Sequence, residues 1–170
     1  AAARALGVSD AAIRAGLAGF TGLPHRLELV GEHAGVRYFN DSKSTTPESS
    51  IIALEAFEEP VIMLVGGRDK GAPFDAMSRR MAERARAVVA YGETREIFAQ
   101  QVRAFAAEIG RDVPVRTATD FRAAVESARD LASAGDVVVL SPACTSYDMF
   151  SNYEERGDRF REIVRSLGGT

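Results

Sequence analysis

The sequence predicts an α/β domain: a Rossmann-like, doubly wound, mostly parallel sheet with helices on both faces and an antiparallel element at one edge. Three observations carry that expectation. The runs VIMLV, AVVAY and VVVL are apolar at every position, as strands buried on both faces must be. Segments with apolar residues at helical spacing alternate with those runs, and such alternation implies parallel strands joined by crossover helices. The early pair LELV and VRYFND is separated only by GEHAG, with Gly31 and Gly35, and reads as a hairpin. At 170 residues and 18.3 kDa the chain has the length of one full domain, with room for a short piece of another.

Residues 1 to 20 carry one or two short amphipathic helices, with Ser9 placed to cap Asp10 to Leu17, before TGLPHR breaks the pattern. After the hairpin, Pro47 opens a helix over ESSIIALEAF, and Pro60 introduces the strand VIMLV, bounded by Gly66 and Gly67. A helix near Phe74 to Arg84, the strand AVVAY, a helix from Thr94 to Ile109 and a short strand around Val113 to Arg116 come next. A helix near Phe121 to Ala132, the strand VVVL and a helix from Tyr153 to Ser166 close the chain; in the last, Phe160, Ile163, Val164 and Leu167 share one face.

With 46% hydrophobic and 26% charged residues the composition is that of an ordinary globular protein, which argues against disordered, collagenous or coiled-coil chains. Lys and Arg number 21 against 24 Asp and Glu, a formal charge of -3, so the electrostatic footprint of a nucleic-acid or anionic-membrane binder is missing. The single cysteine, Cys144, can form no internal disulfide, and two histidines with no other thiol give no structural zinc pattern, so no metal site is expected. The opening AAARALGVSDAAIRAG lacks the apolar core of a signal peptide, and no run approaches the ~20 apolar residues of a membrane span. The cytoplasm is the expected compartment. The missing initiator Met and the Ala-rich helical opening lead us to expect a piece of a longer protein.

Ligands of such sheets sit beyond the carboxyl ends of the strands, and four of those ends are polar here. They are Asn40–Pro47, Gly66–Gly71, Gly92–Thr94 and Ser141–Ser146, and they are expected to converge on one rim. In GGRDKG, glycines let the backbone approach a ligand and Lys70 offers a point charge for a carboxylate or phosphate; a left-handed turn with a solvated lysine explains the same residues. In NDSKSTTP, hydroxyls and a lysine precede a helix whose free N–H groups favour anions, or Ser44, Thr45 or Thr46 simply caps it with Pro47 at the first position. After VVVL, Thr145 and Ser146 stand where a helix can begin, and Tyr147, Phe150 and Tyr153 either wall a pocket or pack in the core. Glu154, Glu155 and Arg156 read as a solvated helix start, and His33 as a turn residue. Cys144 is expected to be a small buried thiol, against a thiol-hydrolase reading in which it is a nucleophile. No G-x-x-x-x-G-K-[ST] or G-x-G-x-x-G run occurs in the sequence.

Taken together, GLPHR, NDSKSTTP, GGRDKG and LSPACTSYDMFSNYEERGDRF, in this order and spacing, resemble the C-terminal domain of the Mur ligases, and within them the branch that adds D-glutamate. The resemblance implies that residues 1–22 are the tail of a preceding central ATPase domain and residues 23–170 the C-terminal domain. It implies ATP-dependent joining of D-glutamate to UDP-N-acetylmuramoyl-L-alanine through an acyl phosphate, assisted by Mg2+, in cytoplasmic peptidoglycan synthesis, by a monomer. Position by position, Lys70 and Ser146 match ligands of the D-glutamate side-chain carboxylate and Thr45 a contact to its other carboxylate. Tyr147 matches a backbone contact and Tyr153 a packing one. Arg26, Asp41 and Lys43 match positions that reach ATP. Tyr153 stands where Phe is usual, and Thr145-Ser146-Tyr147 varies a segment more often read as Ala-Ser followed by Phe or Leu. Because the family's phosphate loop and magnesium ligands lie in the central domain, this fragment is expected to be unable to ligate alone. The rival reading is a non-enzymatic Rossmann-like module that binds a small carboxylate.

Overall fold

The computed structural model of the chain describes residues 1–20 and 22–168. Its elements are α1 (Ala2–Ala5), α2 (Asp10–Ala18), β1 (Glu28–His33), β2 (Val36–Asn40), α3 (Pro47–Glu55), β3 (Val61–Gly66) and α4 (Asp75–Arg84). There follow β4 (Ala87–Tyr91), α5 (Arg95–Glu108), β5 (Val115–Ala118), α6 (Phe121–Leu131), β6 (Val137–Leu140) and α7 (Tyr153–Leu167). The strands form one sheet in the order β1-β2-β6-β3-β4-β5; β1 and β2 are antiparallel and every other pair is parallel.

The uniformly apolar runs are the centre of this sheet, and the two-residue period of a strand divides each between two cores. Val61, Met63 and Val65 of β3, Val88 and Ala90 of β4, and Val137 and Val139 of β6 join α3, α4 and α5 in one. Ile62 and Leu64, Val89 and Tyr91, and Val138 and Leu140 join α6 and α7 in the other. The expected doubly wound architecture with an antiparallel edge is therefore the fold. Ser9 accepts a hydrogen bond from the Ala12 amide as the cap of α2, yet no residue of α1 or α2 is buried. Among the described residues no helix is long and apolar enough to cross a membrane.

Four local expectations are corrected. Gly31 lies inside β1, where the register shifts between Leu29 and Gly31; a Cβ there would come 3.0 Å from Val164 Cγ1 of α7, so close helix packing rather than a turn requires the glycine. His33 is likewise in β1, paired with Val36, and the turn is Ala34-Gly35 with φ of 52° and 75°, the two-residue hairpin geometry whose twist matches the strands. The strand expected at Val113 to Arg116 runs Val115–Ala118, because Pro114 has no N–H to give and instead its carbonyl accepts from Val88 N at 2.9 Å. No helix starts at Thr145 or Ser146: the Ser146 carbonyl accepts from the Met149 and Phe150 amides in a turn, and Asn152 caps α7 by accepting from Glu155 N.

Candidate functional site

Strand β6 enters the sheet between β2 and β3, so the chain leaves β3 towards β4 and leaves β6 towards α7, which packs on β1 and β2. Connections that part in opposite directions open a crevice at the carboxyl ends of the two strands. The loops there are stitched across it. Arg68 N donates to the Thr145 carbonyl at 3.0 Å, and the Thr145 hydroxyl returns a bond to the Arg68 carbonyl at 3.2 Å. Ala143 N donates to the Ser44 carbonyl, and the Thr94 hydroxyl donates to the Gly67 carbonyl. All four polar strand ends thus meet at one rim.

A cavity of about 150 Å3 at this rim is lined by Thr45, Thr145, Ser146, Tyr147 and Tyr153. Thr46, rather than its neighbours, caps α3 in a capping box with Ser49, with Pro47 at the first helical position, which leaves the Thr45 side chain for the cavity. Ser146 is buried, whereas Tyr147 is 61% exposed and forms an outer wall. Tyr153 stands at the first turn of α7, and Lys43 Nζ lies 5.5 Å from its ring centroid, a cation–π contact that puts a positive charge beside the opening. Phe150 does not line this cavity: its ring packs 5.0 Å from that of Phe121 against the core below α6, and it walls a separate cavity with Met149 and the first turns of α7. Lys70 is exposed and lies outside the cavity lining, two residues beyond the Arg68 bridge that ties its loop to Thr145.

A second cavity of about 160 Å3 is lined by Arg26, Leu27, Asp41, Ser44, Ser49, Ile52 and Ala53. The 41–46 loop therefore serves both cavities, with Ser44 in one and Thr45 in the other. Asp41 is buried; its carboxylate accepts from Leu27 N at 3.2 Å and from the Ser141 hydroxyl at 2.9 Å. Burial pushes its pKa up, and bonds from Ser44, Ser141 and Leu27 with the charge of Arg26 oppose that rise without cancelling it. Arg26 is exposed, and Lys43 turns to Tyr153 instead of this cavity. A carboxylate with lone pairs to spare beside an exposed guanidinium fits a group that carries both hydroxyls and phosphates.

A family model described as the Mur ligase glutamate ligase domain matches residues 25–144, well over half of the chain. The chain belongs to the Mur ligase family. Within it, the UDP-N-acetylmuramoylalanine–D-glutamate ligase of Pelotomaculum thermopropionicum is 45% identical over 98% of this chain and 36% of its own length. The enzyme of that name from Clostridium perfringens is 42% identical over 87% of the chain and 32% of its own length, so the chain spans about a third of such relatives. The solved murein peptide ligase of Psychrobacter arcticus is similar in fold, with a TM-score of 0.63 at 14% identity over 92% of this chain and 32% of that one.

In this Mur ligase domain two residues that tie the site's loops together, His25 and Arg156, were given no part in the site from the sequence. His25 is buried at φ 60°, its amide held by Glu28 Oε2, its carbonyl accepting from Lys43 N. Asn40 Oδ1 accepts from Ser42 N, so the amide NH2 faces His25 Nδ1 at 3.0 Å. His25 thereby joins the Arg26 loop to the Lys43 loop. Arg156, read as part of a solvated helix start, is fully buried, while Glu154 and Glu155 are exposed as expected. The correction has a plain cause: Arg156 lies four residues before Phe160 and so falls on the buried stripe of α7. Cys144 is buried as expected, and burial pushes its thiol up to about 11, which removes the thiolate a hydrolase would need.

Proposed function

We propose that this Mur ligase domain is the acceptor-binding part of an ATP-dependent amide-bond-forming ligase that joins D-glutamate to UDP-N-acetylmuramoyl-L-alanine in peptidoglycan synthesis. The observation that carries the proposal is the gathering of Thr45, Ser146, Tyr147 and Tyr153, from three separate stretches of chain, around one small cavity at the carboxyl rim. Relatives at 45% and 42% identity that bear the D-glutamate ligase name support the choice of acceptor. The parent protein works as a cytoplasmic monomer, with residues 1–22 as the tail of its central ATPase domain and residues 23–170 as the acceptor domain. Exposed apolar side chains at Leu6, Leu17 and Phe20 support that division, since α1 and α2 bury nothing of their own.

In this reading the Ser146 hydroxyl and Lys70 hold the side-chain carboxylate of D-glutamate, and Thr45 its other carboxylate. Lys70 moves in from its exposed loop when the acceptor arrives. Tyr153 packs against the aliphatic stem and Tyr147 contributes backbone. Holding both carboxylates leaves the amino group pointing out of the cavity, which fixes the nucleophile at the mouth and converts a bimolecular attack into an oriented one. Arg26, Asp41 and Lys43 reach the nucleotide, the carboxylate suited to ribose hydroxyls and the two cations to phosphate. ATP, bound with Mg2+ mainly by the parent's other domains, supplies the phosphoryl group that activates the partner carboxylate.

The test is steady-state ligation by the full-length protein. D-Glutamate-dependent release of phosphate from ATP is expected, with none from the 170-residue chain alone. Substitution of Ser146 by Ala should raise the KM for D-glutamate roughly tenfold, the value of about one charge-assisted hydrogen bond, with the KM for ATP unmoved. ATP turnover indifferent to D-glutamate, or ligation by the isolated chain, would overturn the proposal.

A further inference from the structure

Among the described residues Arg156 is the largest fully buried side chain. Its partners are all neutral: Nε donates to the Ser42 hydroxyl at 2.9 Å, one terminal nitrogen to the Ser42 carbonyl at 2.8 Å and the other to the Cys144 carbonyl at 3.1 Å. A buried guanidinium held only by neutral oxygens keeps a desolvation penalty that those bonds offset in part, and a carboxylate counter-ion would offset far more. The neighbours that ionise supply none. Burial keeps the Tyr91 phenol and the Cys144 thiol protonated, and the carboxylates whose charge reaches these groups, Asp148 and Asp69, make no ion pair with Arg156: Asp148 accepts from the Glu93 amide and Asp69 from the Gly71 amide. The Tyr91 hydroxyl has no hydrogen-bond partner among the described residues.

The position of this unpaired charge matters. Ser42 and Cys144 belong to the two loops that supply Thr45 and Ser146 to the acceptor cavity, and the Ser42 hydroxyl also donates to the carbonyl of Tyr153, the cavity's third element, at 2.8 Å. We propose that Arg156 is a positioning residue whose buried positive charge is completed by the side-chain carboxylate of the acceptor at Ser146, so that the site selects an anionic side chain over its neutral isostere. Lys43 and Lys70 are exposed, and Lys70 meets the carboxylate only after its loop has moved in, whereas the Arg156 charge is already in place and acts through the protein interior, where attraction falls off less. A purely structural role asks only for donors to carbonyls and makes no use of the charge.

The inference rests on the reading of the cavity as the D-glutamate site, and its test separates the two. In the full-length protein, kcat/KM for D-glutamate is compared with inhibition by D-glutamine, its neutral isostere, for the unaltered enzyme, Arg156→Gln and Arg156→Lys. The expected result is that Arg156→Gln loses about tenfold or more of the preference for D-glutamate over D-glutamine, while Arg156→Lys keeps most of it and the KM for ATP changes little in either. An unchanged preference in both variants, with turnover lowered alike, would show a structural role only. Because Arg156→Gln is open to failure in folding, the unaltered protein is also titrated with 15N-arginine labelling. The Arg156 Nε–H signal should shift with D-glutamate and stay still with D-glutamine; equal shifts, or none with D-glutamate bound, overturn the proposal. If the unaltered protein neither binds nor ligates D-glutamate, the acceptor reading itself fails and takes this inference with it.

Discussion

Asp41, proposed above to reach the nucleotide, works against the fold. Burial raises its pKa in the folded chain above the unfolded value, so the folded state holds the proton more tightly. Its favourable contribution is complete below the unfolded pKa and is lost as pH rises through the raised folded value. Asp41→Asn should therefore remove that loss: its thermal unfolding should be less sensitive to rising pH through the acidic range than that of the unaltered chain, with the midpoint at neutral pH equal or higher. The same variant should raise the KM for ATP in the full-length protein, a trade of function against stability. A midpoint that falls at neutral pH would contradict the account. Legibility at this scale followed local signals. Thr45 and Ser146 stood at polar strand ends, and the structure brings them to one cavity, whereas Lys70, at another such end, lies outside its lining. Arg156 was masked by the two exposed glutamates before it, although its spacing from Phe160 placed it on the apolar face. His25 was opaque, because its left-handed backbone and its bond to Asn40 arise only when three loops meet.

At the scale of elements, the strands that bury both faces were plain in the sequence, since a run apolar at every position has few other homes. The hairpin was legible but its turn was not: two glycines competed for it, and the one at position 31 answers to α7, on the far side of the chain. The caps carry definite energies. Thr46 accepts from Ser49 N within a capping box, so Thr46→Ala should cost about 1 kcal/mol in urea unfolding, with an unchanged denaturant slope. A larger loss, or a changed slope, would mean that the cap also holds the loop of the acceptor cavity. Gly67 joins β3 to the Lys70 loop at φ 136°, and a Cβ there would lie 2.2 Å from the Thr145 carbonyl. Gly67→Ala should lower stability by roughly 1–3 kcal/mol from the backbone alone and weaken D-glutamate binding, because the Arg68–Thr145 bridge must move. Equal affinity in that variant would separate the bridge from the site.

For the molecule as a whole, the sheet has its own core on both faces, complete without α1 and α2. The core therefore owes nothing to α1 and α2, and under the proposed division the chain should bind its acceptor without completing a ligation. The doubly wound fold was legible because its signal is repeated in every strand and helix, whereas the convergence of four loops was legible only as an expectation of the fold class. Their joining depends on the insertion of β6 between β2 and β3, a pairing of distant segments that no local pattern encodes. The most direct test of the acceptor site is an amide-shift titration of the 15N-labelled 170-residue chain with D-glutamate and, in parallel, L-glutamate. The account expects saturable shifts at Thr45, Lys70 and Ser146 with the D isomer and weaker or absent shifts with the L isomer. Identical responses to both isomers, or shifts confined to residues outside the carboxyl rim, would contradict it.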